Sequence, residues 1–187
     1  MLDNFFRVTK FIPKKCVESV YDIDFNKLYE EGKKYILCDV DNTLIPYDIF
    51  YADDKLRDLL KNIQEIGFTI MFISNNRNER IGNFSKDLGI NFITSAKKPF
   101  KKGFKKALKL LSVKNKNEVL TIGDQLMTDV LGSNRMNLDC ILVRPLKKSS
   151  EKWYTKFNRK MEKHALKRIK KYDPIIYKEI EEKHEWY

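Results

Sequence analysis

Residues 35–48, YILCDVDNTLIPYD, open as an apolar run and close on Asp39 and Asp41 either side of Val40, with Thr43 two positions further on. A short apolar run reads as a buried strand of a parallel sheet. In open α/β sheets ligands bind beyond the carboxyl ends of the strands, which is where this run leaves its acids. Alternation along a strand puts Asp39 and Asp41 on one side and turns Val40 away. Two carboxylates so placed repel one another unless a cation joins them.

Outward from this strand, short apolar runs alternate with helical patterns. Residues 53–67 carry Leu56, Leu59, Leu60, Ile63 and Ile66 on one helical face, with Asp53 as a start signal and Gly67 as a stop. FTIMFIS (68–74) is a second strand, and 77–90 a second helix with Ile81, Phe84 and Leu88 inward. NFIT (91–94), EVLTIG (118–123) and DCILV (139–143) are three more strands, with helices over 101–113 and from about 127 to 135. This alternation predicts an α/β fold of three layers with a mainly parallel five-stranded sheet. One domain is expected over 1–187: a core at 35–146, an N-terminal packing segment at 1–34 that is helical over 17–32, and a basic amphipathic helical extension at 147–187.

The 187 residues carry 37 Lys and Arg against 26 Asp and Glu, a net charge of +11 that attracts anionic partners. Nucleic acid, acidic lipid surfaces and phosphorylated substrates all qualify. Cys16, Cys38 and Cys140 have no metal-ligand spacing and read as reduced core residues. His164 and His184 also lack such spacing and read as surface residues. No apolar run reaches the roughly 18 residues that a membrane span needs. A cytoplasmic protein, soluble or peripheral on the membrane's inner face, is the expectation.

Other strand ends repeat the pattern of the first. The second closes on Ser74 and Asn75, and EVLTIG runs into GDQLMTD, which supplies Asp124 and Asp129. If the 35–40 strand lies between these two, four carboxylates share one crevice. Oxygen ligands without Cys or His suit Mg²⁺. Beside a metal, one aspartate can act as a nucleophile in phosphoryl transfer while a second carboxyl handles the proton. Ser74 with the backbone N–H groups after it, and Lys98 in AKKPF, supply the donors and the cation such a reaction needs. Ser74 and Asp129 also have plainer readings as helix caps.

DVDNT (39–43), Ser74 in ISNN, Lys98 in KKP and GDQLMTD (123–129) together resemble, in order, the four motifs of the haloacid dehalogenase (HAD) superfamily phosphatases. The resemblance covers roughly 17–160, and its wording is closest to the YqeG branch, a cap-less subclass III (IIIA) group that includes phosphatidylglycerophosphate phosphatases. It implies a HAD-like Rossmannoid core. It also implies Asp39 as nucleophile and Mg²⁺ ligand, and Asp41 as general acid/base whose backbone carbonyl ligates the metal. Asp124 and Asp129 would complete the metal shell, and Thr43, which would also support the first loop, would hold the phosphoryl group with Ser74, Asn75 and Lys98.

Only positions 42–73 separate Asp41 from Ser74, and only 75–97 separate Ser74 from Lys98, so neither interval has room for an inserted cap domain. The open crevice is flanked by basic segments. Residues 97–109 hold seven Lys and no acid, and 147–171 hold 11 Lys or Arg against Glu151 and Glu162. Trp153, Phe157, Met161, Ala165 and Ile169 recur at four-residue steps, and with Phe5, Phe6, Phe11 and Ile12 they would suit an anionic membrane. The same features also read as a solvated charged face over a packed core. The expected activity is release of phosphate from phosphatidylglycerophosphate. The alternatives are another phosphorylated substrate (a sugar phosphate, nucleotide or nucleic-acid end) or an RNA- or ribosome-binding protein with a vestigial site.

Overall fold

Tyr35–Cys38 forms strand β2 near the middle of a six-stranded sheet. The computed structural model describes residues 7–77, 79–147, 149 and 153–184, the side chains of 153, 154 and 184 excepted. The elements flanking β2 are β1 (Lys15–Val17) and α1 (Phe25–Glu30) before it, then α2 (Asp54–Ile66), β3 (Thr69–Ile73), α3 (Glu79–Asp87) and β4 (Asn91–Ile93). The chain continues through α4 (Lys101–Leu110), β5 (Val119–Gly123), α5 (Leu131–Met136), β6 (Asp139–Val143), α6 (Trp153–Tyr172) and α7 (Pro174–His184). In space the strands run β1, β6, β5, β2, β3, β4, and every neighbouring pair is parallel.

Both faces of the sheet are covered, which is why its strands read as near-continuous apolar runs. On one face, Leu56, Leu60 and Ile63 of α2 and Ile81 and Phe84 of α3 pack onto Ile36, Ile70, Phe72 and Ile122. Phe72 and Phe84 meet with ring centroids 5.7 Å apart, each burial contributing about 2 kcal/mol. On the other face, Phe104, Ala107 and Leu108 of α4 cover Leu37, Met71 and Ile73, while α5, α6 and α7 cover Cys16, Cys140 and Leu142. All three cysteines are buried and free. The start signal at the head of α2 works as read: Asp53 accepts a hydrogen bond from the Leu56 N–H at 2.8 Å, and Gly67 ends the helix at φ 116°.

The sheet has six strands rather than five. The extra one, β1, pairs with β6 through only Lys15, Cys16 and Val17, too few residues to show a period. The segment 17–32 is correspondingly less helical than expected, with a 3₁₀ turn at Val20–Asp22 and the short α1. The helix expected from about 127 begins as a π turn, Leu126–Val130, and becomes α-helical only at Leu131.

The apolar stripe of α6 also differs from expectation. Four residues turn an α-helix through about 400°, so a strict four-residue step drifts about 40° each time and winds round the axis. Phe157 is consequently 59% exposed, whereas Ala165 and Ile169 are buried with Leu166 in the core. The buried face of the first turns is polar instead: Thr155, Arg159 and Glu162. Phe11 is core, and Ile12 is half-buried against the same cluster. Phe5, Phe6 and the Trp153 side chain lie outside the described residues. No described helix is long and apolar enough to cross a membrane.

Candidate active site

Level register at the sheet's centre builds the crevice. Cys38 of β2 partners Phe72 of β3 on one side and Ile122 of β5 on the other, so Asp39, Ser74 and Asp124 leave their strands at nearly one height. Immediately beyond β2 the backbone turns through Asn42 at φ 63°, a left-handed conformation that Asn tolerates better than most residues. That turn brings Asn42 Nδ2 to the Lys147 carbonyl at 3.1 Å and returns Thr43 to the acids. Thr43 Oγ1 donates to Asp124 Oδ1 at 3.2 Å and lies 3.4 Å from Asp39 Oδ2.

Asp39, Asp124 and Asp129 are all buried, and one carboxylate oxygen from each lies within 4.8 Å of the others. Lys98 Nζ donates to Asp39 Oδ1 and to Asp129 Oδ1, both at 2.6 Å. Asn75 fixes the Lys98 backbone from both sides, accepting its N–H at 2.6 Å and donating to its carbonyl at 2.9 Å. Asn75 also lines the crevice, so the same side chain that sets the Lys98 backbone faces the site. Asp129 Oδ2 accepts the Gln125 N–H at 3.1 Å, so this residue caps its own turn while its other oxygen faces the cluster.

Asp41 stands apart from the other three. Its Oδ1 pairs with Arg80 of α3, and its Oδ2 receives Ser74 Oγ at 3.4 Å and Asn76 Nδ2 at 3.3 Å. Ser74 precedes α3 by several residues and is no cap for it; its Oγ accepts the Asn76 N–H at 3.0 Å. The Arg80 guanidinium also donates to the Ile49 carbonyl at 2.5 Å, tying the loop after the first motif to α3.

Three contributors were not legible in the chain. Arg80 occupies an inward position of α3 next to Ile81, where a charge needs a buried partner. Arg159 of α6 reaches Asp124 twice, with Nη2 on its carboxylate and Nη1 on its carbonyl at 2.8 Å. Glu162, fully buried, accepts from Arg159 Nη1 at 3.1 Å and from the Met127 N–H at 3.1 Å. An Arg–Glu pair three residues apart, with an acid inside an otherwise basic helix, was the available signal.

Burial pushes the carboxyls of Asp39 and Asp124 up to about 7. Lys98 opposes the rise at Asp39 and Arg159 opposes it at Asp124, while neighbouring carboxylates add to it. Burial works against the Lys98 ammonium, yet Asp129 and Asp39 outweigh it and hold its pKa well above the ordinary lysine value. For the two aspartates the folded value lies above the ordinary 3.8, so the folded protein binds these protons more tightly than the unfolded chain. Their contribution to stability is complete below about pH 4 and is lost as pH rises through about 7. Without divalent metal, thermal unfolding should therefore move to lower temperature between pH 5 and 8, and added Mg²⁺ should raise Tm more at pH 8 than at pH 5.5. Calorimetric scans at both pH values, with and without Mg²⁺, check this; equal gains would refute it.

A three-carboxylate, oxygen-only cluster fits a hard divalent cation. Lys98 and Arg159 bring two positive charges against the three aspartates and Glu162, leaving an excess of negative charge for a cation to meet. Gly123, at the end of β5, is what lets Asp129 into this cluster: a Cβ there would overlap the Asp129 carboxylate carbon. Gly123→Ala should cost about 1–3 kcal/mol and weaken Mg²⁺ binding, as read by thermal unfolding and calorimetric titration.

A parallel sheet, helices on both faces and acids at the central strand ends are the architecture of a HAD-like hydrolase, and comparison with known proteins assigns the chain to that class. The HAD-hydrolase-like family matches over residues 95–166. The chain is 38% identical over 169 residues to a protein of Bacillus subtilis (strain 168) named "Probable phosphatase YqeG", covering 90% of this chain and 97% of that one. The chain belongs to this HAD family of phosphatases. An uncharacterized protein from Listeria monocytogenes serotype 4b shares the fold, with a TM-score of 0.50 at 18% identity over 62% of this chain and 83% of that one.

Proposed function

We propose that the protein is a Mg²⁺-dependent phosphomonoesterase working through an aspartyl-phosphate on Asp39, with phosphatidylglycerophosphate as its substrate and phosphatidylglycerol as product. The observation that carries the chemistry is the Asp39 carboxylate, 5% exposed on the crevice floor, with Lys98 at 2.6 Å and two further acids beside it. An Asp39 oxygen attacks phosphorus, the bond from phosphorus to the ester oxygen breaks, and the leaving oxygen takes a proton from Asp41. Water then attacks the acyl phosphate and gives its proton to Asp41, releasing inorganic phosphate and restoring Asp39. Arg80 balances Asp41 in its anionic form, the form that activates the water. Lys98, Ser74 and Thr43 face the transferring group and stabilise its charge. Asp39, Asp124, Asp129 and the Asp41 backbone carbonyl would hold Mg²⁺, which supplies charge neutralisation and orientation of the phosphoryl oxygens.

The lipid reading rests on the surroundings of the crevice. Tyr47 lines it, and the loop that follows leaves Ile49, Phe50 and Tyr51 45%, 56% and 67% exposed. α6, whose Thr155 meets Tyr47 at the start of this loop, carries exposed lysines, as suits peripheral contact with an anionic cytoplasmic-face membrane. The test is phosphate release from phosphatidylglycerophosphate in mixed micelles, set beside sugar phosphates, nucleotides and 5′-phosphorylated oligonucleotides. Turnover favouring the lipid supports the assignment; equal or greater turnover of a soluble ester removes the lipid and leaves the chemistry. Salt-sensitive RNA binding with no Mg²⁺-dependent turnover of any ester would favour the binding-protein alternative.

A further inference from the structure

The crevice has a side that phosphoryl transfer does not use. Beyond Asp39, Asp41, Ser74 and Lys98 its lining continues through Tyr47, Gln125, Thr155 and Asn158. All four are uncharged and all carry hydrogen-bonding groups. Thr155 is 1% exposed, with its Oγ1 at 3.0 Å from the Tyr47 hydroxyl, and Asn158 Nδ2 donates to Gln125 Oε1 at 3.2 Å. Thr155 and Asn158 belong to α6, one turn apart on the face that Arg159 anchors to Asp124. The helix that looked from its charge like a surface extension therefore forms a wall of the active site, in a chain with no inserted cap.

We propose that Tyr47, Thr155 and Asn158 form the leaving-group subsite and select esters whose alcohol carries a free hydroxyl near the phosphate. This inference rests on the phosphatase reading above. With the phosphoryl group held between Lys98 and Ser74, the departing alcohol must extend over the remaining lining. Among the described residues this wall offers hydroxyls and amides, from Tyr47, Gln125, Thr155 and Asn158, in place of the charge that Lys98 brings to the phosphoryl side. It suits a hydroxyl, which can donate to one of these groups and accept from another. An alcohol lacking that hydroxyl would desolvate the wall without replacing the lost hydrogen bonds. Sites built to bind a substrate hydroxyl reject the deoxy analogue for this reason.

Glycerol 3-phosphate and n-propyl phosphate form a matched pair that differs only in hydroxyls. The ratio of their kcat/KM values would be measured with Mg²⁺ for the full chain and for Thr155→Val, Asn158→Leu and Tyr47→Phe, each checked for folding by its Tm. The wild-type ratio should exceed about tenfold, and each variant should bring it several-fold closer to one. A purely structural loss lowers both rates together and leaves the ratio where it was. A wild-type ratio near one, or variants that keep the wild-type ratio, would overturn the subsite while leaving the phosphatase reading standing. Tyr47→Phe lies outside α6 and keeps its ring, so the test survives if the helix variants fail to fold. If the wild type hydrolyses neither these two esters nor any other phosphomonoester, the phosphatase reading fails and the subsite fails with it.

Discussion

Asp39→Asn should lower kcat for phosphate release by roughly 10⁴-fold or more while leaving the protein folded. A drop of that size is about 5.5 kcal/mol of barrier, the scale expected when a covalent nucleophile is removed. The amide matches the carboxylate in size but is a far weaker nucleophile. Folding should survive because Lys98 keeps its second partner, Asp129 Oδ1 at 2.6 Å. The substitution also removes an acid whose carboxyl burial has pushed up to about 7, so the crevice loses charge that it holds at a cost. Single-turnover phosphate release and a thermal melt on the same preparation read both halves of the prediction. Wild-type activity in the variant would remove Asp39 from the chemistry. Lost activity accompanied by a collapsed melt would instead assign it a structural role.

Arg159→Met should be the most destabilising single change near the site. It removes a guanidinium that meets the charge of two fully buried acids, Asp124 and Glu162, through contacts to both. Removing one partner of a buried ionic pair costs about 3–5 kcal/mol, because the remaining charge stays desolvated. For a chain of this length each kcal/mol moves Tm by about 2–4 °C, so a fall of roughly 6–20 °C is expected. Adding Glu162→Gln to Arg159→Met should recover part of the loss if stranded charge is the cause, and none of it if the cause is the missing arginine stem. Mg²⁺ should also protect the single variant, because Asp124 would then face a cation. A Tm within 2 °C of wild type would show that Asp124 and Glu162 do not depend on Arg159.

Much of this protein could be read before it was seen folded. The parallel sheet was legible because both of its faces are buried, which forces YILC, TIMFI and DCILV to be apolar throughout. The cluster was legible because acids directly after such strands can only emerge at the sheet's carboxyl edge. The placement of β2 between β3 and β5, on which the convergence of Asp39, Ser74 and Asp124 depends, was a condition of the reading that the sheet order met. The three-residue β1 was illegible because it has no period of its own and exists through its ladder with β6.

The sequence by itself determined the α/β class, the central strands, and which acids and which lysine meet at their ends, since strand periodicity and motif order are local properties of the chain. Only the tertiary structure decided which charge neutralises which. It parted Asp41, held by Arg80 and Ser74, from the Asp39, Asp124 and Asp129 cluster. It turned Asn75 onto the Lys98 backbone, and it brought Arg159 across 35 positions to Asp124. The physical reason is that ion pairs and burial depend on distances across the fold. A basic helix therefore shows the same charge pattern whether it lies in solvent, on a lipid surface or, as α6 does here, along one side of a crevice.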